Sequence, residues 1–199
     1  MVGSATTATR ATNFFSRTND LVKKDAEARL PQDGYTSSAL DQKEFRGVLS
    51  QFGSGVAVIT TQDETGEQAG MTVSSFTSLS LDPPLVLFCA KEGSKTMAEV
   101  QENGHFAVSI LREDQKDLCY QFAGKSDTDK FKNVNFHPGK AHGDPLLDGA
   151  IATLECKLST RHPGGDHSIV VGEVIGISRT PEADQPLLFW DGKVLPPRS

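Results

Sequence analysis

The sequence predicts a mainly β domain with flanking helices, its strands closing towards a barrel. Three observations carry this. Segments with strand-like patterning outnumber helical ones, several follow one another closely, and Gly, Pro and Asp turn signals separate them. With 199 residues, 37% hydrophobic and 23% charged, the chain has room for one domain with a sizeable core and an appendage, not for two full domains. No stretch approaches the roughly eighteen apolar residues of a spanning helix, so no membrane partner is expected. A formal net charge of -6 argues against nucleic acid as a partner, because phosphate backbones select basic surfaces.

Residues 1–40 stand apart as an N-terminal extension from the main domain at 41–199. Residues 1–19 contain Arg10 and Arg17 and no acid, and a helix-prone acidic stretch follows from Asp20 to Leu30. This composition suits a loose arm or one that packs on a partner subunit, and it also matches a mitochondrial-type transit peptide. Within the main domain, Asp41 caps a helix with Glu44 three residues on, and Phe45, Val48, Leu49 and Phe52 give it one apolar face. Gly53 to Gly55 ends it. Residues 56–61 and the segment around 70–75 form a hairpin about the Asp63-Glu64-Thr65-Gly66 turn.

After the Leu81-Asp82-Pro83-Pro84 break, residues 85–90 are continuously apolar and are expected as a mid-sheet strand buried on both faces. Ser94 caps a short helix that runs to Asn103 and stops at Gly104. Residues 105–111 read as a strand and 113–122 as a helix, with Leu111, Leu118 and Phe122 facing the core. Two long strands, 149–160 and 167–178, flank an Arg161-His162-Pro163-Gly164-Gly165-Asp166 turn, and 187–190 gives a last strand.

Several chemistries are excluded. Gly53-Ser54-Gly55 lacks the third glycine of a dinucleotide fingerprint and lies between a helix and a strand, the reverse of the Rossmann order. There is no P-loop, no G-x-S-x-G elbow and no H-E-x-x-H. His137 with His142, and His162 with His167, are five apart across Pro and Gly turns, which reads as ordinary turn histidines, and no metal site is expected. Cys89, Cys119 and Cys156 form no C-x-x-C pair and read as buried thiols of a reducing compartment, hence a cytoplasmic protein.

What remains is a candidate anion cradle. The hydroxyls and backbone N–H groups of Gly70-Met71-Thr72-Val73-Ser74-Ser75-Phe76 would face the helix start at Ser94, Lys95 and Thr96, where the helix dipole favours negative charge. Ser and Thr at such places also serve strands and caps alone.

The motifs Gln51-Phe52, residues 55–61, Gly70 to Phe76, residues 78–88 and Gly165-Asp166-His167, in this order, resemble the flavin-reductase-like family, the FMN-binding split β-barrel type. The resemblance spans about Phe45 to Lys193. Residues 122–131 and 186–193 are similar to the reductases that serve aromatic-ring hydroxylases of 4-hydroxyphenylacetate, phenol and steroid catabolism. It implies an NAD(P)H:flavin oxidoreductase, with NADH expected and NADPH possible in principle, that reduces FMN or FAD. Its partner would be a flavin-dependent monooxygenase, and the chain would be a homodimer.

Carried over residue by residue, the resemblance puts the flavin against Met71, Thr72, Val73, Ser74 and Ser75. Its phosphate end would meet Cys89, Ala90, Lys91, Lys95 and Thr96, with Gln121 and Phe122 as further flavin contacts. Nicotinamide would lie near Asp166, His167, Trp190, Asp191, Gly192 and Lys193, with His167 as the catalytic candidate. Closing its turn by a hydrogen bond to Asp166 or to the backbone explains His167 equally well. The alternatives are a barrel that keeps its flavin to reduce another substrate or store the cofactor, and a barrel that only binds partners.

Overall fold

The structure, a computed structural model, describes residues 40–124, 129–180 and 185–197. The expectations for the N-terminal extension fall on residues 1–39, outside the described residues. The elements in chain order are α1 (Gln42–Leu49), β1 (Ser54–Gly55), β2 (Ala57–Gln62), β3 (Gln68–Val73), β4 (Thr77–Leu81) and β5 (Pro84–Lys91). Then come α2 (Lys95–Asn103), β6 (His105–Ile110), α3 (Lys116–Ala123), β7 (Phe136–Pro138) and β8 (Pro145–Leu147). The long strands β9 (Ala152–Gly164) and β10 (His167–Arg179) and the short β11 (Leu188–Trp190) and β12 (Lys193–Val194) complete them.

Seven strands form one antiparallel sheet in the order β3-β2-β6-β9-β10-β5-β4. Its two edge strands, β3 and β4, are consecutive in sequence and separated by Ser74, Ser75 and Phe76 alone. Four Cα steps span at most about 15 Å. A flat seven-stranded sheet would hold its edges roughly 28 Å apart at the usual strand spacing. The sheet must therefore curl until its edges adjoin. They do so without a ladder, so the barrel is split along this seam.

Local chemistry explains the turns. Asp63 Oδ1 accepts from Thr65 N–H (2.8 Å), Thr65 Oγ1 (2.8 Å) and Glu67 N–H (2.9 Å), which closes the β2–β3 hairpin as an Asx turn. Ser94 Oγ accepts from Met97 N–H at 3.3 Å, and Gly104, at φ 74°, ends α2 in the left-handed conformation. Between β9 and β10 the loop is only Gly165-Asp166, with φ 75° at Gly165 and a negative φ at Asp166, the pattern of a type II′ turn.

The barrel interior holds Val73, Val86, Phe88, Phe106 and Val170, with the rings of Phe88 and Phe106 edge to face at 5.3 Å. A second cluster, Val58, Leu111, Phe122, Leu147 and Leu187, packs α3 and the β1-β11-β12 sheet onto the outside.

Five expectations are corrected. Residues 84–91 do form a strand, but β5 lies one strand from the edge. Val86, Phe88 and Ala90 are buried while Leu85, Leu87 and Cys89 are only half-buried, because the outer face of the barrel is thinly covered there. The double proline does not merely break the chain: it turns the unforeseen strand β4 back onto β5. The helix after β6 starts at Lys116, since Arg112 to Gln115 make a turn first. The long hairpin continues in register to Gly164, so Arg161, His162 and Pro163 are strand residues. α1 begins where expected but ends at Leu49, so Phe52 lies beyond it, and Phe45 (51%), Val48 (67%) and Leu49 (56%) are exposed.

Candidate functional site

At the seam, β3 and the residues after it, the end of β5, the turn into α2 and the first residue of β10 surround a cavity of about 330 Å³. Met71, Thr72, Val73, Ser74 and Ser75 line one side, Cys89, Ala90 and Lys91 another, and Ser94 and His167 complete it. Ser75 holds the two sides together: its Oγ accepts from Cys89 N–H at 2.9 Å and donates to the Cys89 carbonyl at 3.3 Å.

Because β3 is an edge strand, half of its backbone groups have no ladder partner. The Gly70 carbonyl points away from β2, accepting from Thr96 Oγ1 (3.0 Å) and Lys130 Nζ (3.1 Å). By the two-residue alternation of a strand, Thr72 turns its backbone N–H the same way. Thr72 Oγ1 donates to the Cys119 carbonyl of α3 at 2.7 Å, which fixes this edge from behind.

The opposite side carries charge. Lys91 and His167 are register partners on β5 and β10. His167 Nδ1 lies 2.8 Å from Asp166 Oδ1, and this hydrogen bond holds the Asp166 carboxyl below its usual range. In the tautomer that donates Nδ1–H to the carboxylate, Nε2 is left as the acceptor.

A family model described as "Flavin reductase like domain" matches residues 49–196. The reductase subunit HsaB of a flavin-dependent monooxygenase from Rhodococcus jostii is 41% identical over 157 residues, covering 79% of this chain and 78% of that protein. The chain belongs to the flavin reductase like family. Among solved structures, nitrilotriacetate monooxygenase component B from Mycobacterium thermoresistibile is 42% identical with TM-score 0.75, over 80% of this chain and 88% of that one. The Streptomyces globisporus NADH:FAD oxidoreductase SgcE6, solved with NAD and FAD fragments, is 38% identical with TM-score 0.73, over 78% of this chain and 92% of that one.

Within this flavin reductase like chain, the residues expected from sequence separate into groups. Met71, Thr72, Val73, Ser74, Ser75, Cys89, Ala90, Lys91 and His167 meet at the cavity. Asp166 stands directly behind His167. Lys95 and Thr96 do not line the cavity; Thr96 is buried and ties α2 to the Gly70 carbonyl.

Gln121 and Phe122 also lie elsewhere. Gln121 Nε2 donates to the carbonyls of Lys130 and Lys132, both at 2.9 Å, and Phe122 is fully buried, its ring where a Gly70 side chain would stand. Trp190, Asp191, Gly192 and Lys193 form the β11–β12 turn and do not line the cavity. Trp190 Nε1 donates to the Gln51 carbonyl at 3.2 Å, and Asp191 N–H to the Ser50 carbonyl at 2.8 Å. Cys89 is half-buried at the cavity, so the reading of all three cysteines as buried holds for Cys119 and Cys156 only.

Sequence reading passed over Glu92, Arg161 and Ser168, which form a cluster beside Lys91 and Asp166. Arg161 and Ser168 lie seven residues apart on the two arms of the β9–β10 hairpin, but Glu92 is 69 residues before Arg161, and no local pattern joins it to them.

Proposed function

We propose that this chain is an NADH-dependent flavin reductase that reduces FMN or FAD and supplies the reduced flavin to a partner monooxygenase. The observation that carries the reading is the cavity itself, where the strand expected to hold flavin and the histidine expected to meet nicotinamide line one space. Its residues fit a flavin: about 330 Å³ lies within the roughly 300–1,000 Å³ of small-molecule pockets, and the β3 edge offers backbone donors beside hydroxyls.

The flavin would supply the hydride acceptor and the nicotinamide the donor, so neither a strong acid nor a strong base is required of the protein. What the chain supplies is placement, since two reactants held in contact geometry react far faster than free ones. Thr72 N–H is placed to donate to the electron-rich edge of the ring, where charge grows on reduction. Lys91 and Ser94 hold the phosphate end. His167, oriented by Asp166, presents Nε2 to the carboxamide N–H of the nicotinamide.

A homodimer belongs to this reading: the exposed apolar face of α1 supports it, as does a nicotinamide side that one chain leaves incomplete at residues 190–193. No helix among the described residues is long and apolar enough to cross a membrane, and the three free cysteines support a cytoplasmic setting.

Anaerobic NADH oxidation with FMN, FAD and riboflavin at equal concentrations tests the proposal. The expected result is a rate that saturates with added flavin and is higher with NADH than NADPH. A rate independent of added flavin would identify a prosthetic group, and no oxidation at all would remove the assignment.

A further inference from the structure

The Arg161 cluster lies against the cavity and has no part in the function proposed above. From β9, its guanidinium reaches three other segments. Nε donates to Ser168 Oγ on β10 at 2.8 Å, Nη1 to Gln101 Oε1 on α2 at 2.8 Å, and Nη2 to the Glu92 carboxylate oxygens at 2.8 and 2.6 Å. The Ser168 hydroxyl donates to the same Glu92 carboxylate. Such a fork is the geometry that a planar guanidinium offers and an ammonium does not.

Glu92 sits in the turn between β5 and α2. Lys91 precedes it, Gly93 follows with φ 78°, and Ser94 begins the helix cap. This turn is where the cavity wall leaves the ladder, since Lys91 is the last paired residue of β5. Its two flanking residues, Lys91 and Ser94, both line the cavity. Two attachments through Glu92 tie it back. The side chain meets Arg161 and Ser168, and the backbone N–H donates to the Asp166 carbonyl at 3.0 Å. Asp166 is the residue that orients the His167 ring.

We propose that Arg161 is a positioning residue for both ends of the cavity: through Glu92 it fixes Lys91 and Ser94, and through the Glu92–Asp166 bond it steadies His167. An isolated exposed ion pair does little for stability. Here the same guanidinium gathers β10, α2 and the turn, so its loss frees the position of groups that contact ligand more than it unfolds the barrel. The inference rests on the flavin reductase reading, which places the flavin phosphate at Lys91 and Ser94.

The test uses the full chain with Arg161→Met and Arg161→Lys, compared with wild type for thermal midpoint, for dissociation constants of FMN, FAD and riboflavin by fluorescence titration, and for NADH kinetics. In a folded Arg161→Met variant, FMN and FAD bind about tenfold more weakly, riboflavin changes less than about twofold, and kcat/KM for NADH falls about tenfold, as for lost placement. Arg161→Lys keeps the charge without the fork and gives most of the same losses. If Arg161→Met does not fold, Glu92→Gln severs the ion pair at nearly constant shape and yields the same readings.

Unchanged flavin affinities and NADH kinetics in a folded variant would overturn the role of Arg161 while the wild type remains an active reductase. Equal losses for riboflavin and FMN, in proportion to lost folded protein, would reduce it to a structural contact. Wild-type protein that binds FMN and FAD no better than riboflavin overturns the phosphate placement itself, and this inference with it.

Discussion

Ser75 and Cys89 stitch the barrel seam: the Ser75 hydroxyl accepts the Cys89 N–H at 2.9 Å and returns a bond to the Cys89 carbonyl at 3.3 Å. Ser75 lies in the link between β3 and β4, and these two bonds carry the β4–β5 pairing beyond Thr77 and Leu87 to the end of β5 that lines the cavity. The hydroxyl therefore shapes the cavity from within its wall.

Ser75→Ala leaves the Cys89 N–H without its partner. The expected cost is about 1 kcal/mol in denaturant unfolding, the usual net worth of such a bond. Flavin affinity falls with it, because the two walls separate. A variant with wild-type stability and flavin affinity would show that the stitch is idle.

Gly70→Ala tests the packing behind β3. An added Cβ would meet the Phe122 ring at 2.6 and 2.7 Å, and that ring is fully buried against Phe131 and cannot swing aside freely. Overpacking of this kind costs roughly 1–3 kcal/mol. A thermal midpoint equal to wild type would refute the contact.

His167→Ala removes the proposed nicotinamide acceptor and leaves β3 untouched. The expected outcome is a rise of about tenfold in the Michaelis constant for NADH, equivalent to ~1.4 kcal/mol, or a lower turnover, with flavin binding nearly intact. Steady-state kinetics and flavin titration read the two separately. Unchanged NADH kinetics would return His167 to the role of closing its turn.

Alkylation distinguishes the three thiols. Burial pushes the Cys156 thiol up to about 12 and also raises that of Cys119, which disfavours the reactive thiolate at both. Cys89 lines the cavity and is half-buried. In native protein at pH 8, iodoacetamide followed by mass spectrometry should label Cys89 first, and FMN should slow that labelling. Labelling of Cys89 at the same rate with and without flavin would place the ligand elsewhere.

Acid acts through Glu92. The Ser168 hydroxyl, and then the Arg161 guanidinium, hold its carboxyl below the ordinary value of 4.5. A depressed folded value gives a contribution that is complete above pH 4.5 and lost as pH falls through the lower folded value. The thermal midpoint should therefore drop below pH 4.5, and Glu92→Gln should flatten part of that slope. Identical slopes in the two proteins would count against a formed cluster in solution.

Within the described residues, the sequence by itself determined the pieces whose causes are local. The Asp63 turn with its hairpin, α2 between Ser94 and Gly104, and the Gly165-Asp166 reversal all follow from side chains acting over a few residues. The ordered motifs also brought β3, the end of β5 and His167 together as candidates. The sequence did not reveal β4, an edge strand of alternating hydroxyls and leucines with little burial, nor that β5 runs beside the edge.

Only the tertiary structure decided which candidates face the cavity. Thr96 and Phe122 are residue types that serve a ligand or a core equally well, and burial assigns them to the core. The Arg161 cluster was also its product, since Arg161 and Glu92 are 69 residues apart and meet only because β9, β10 and β5 are neighbours in the sheet. Turn and cap chemistry acts along the chain, whereas a seam, a cavity and a clamp depend on strand order, which is fixed when the whole sheet closes.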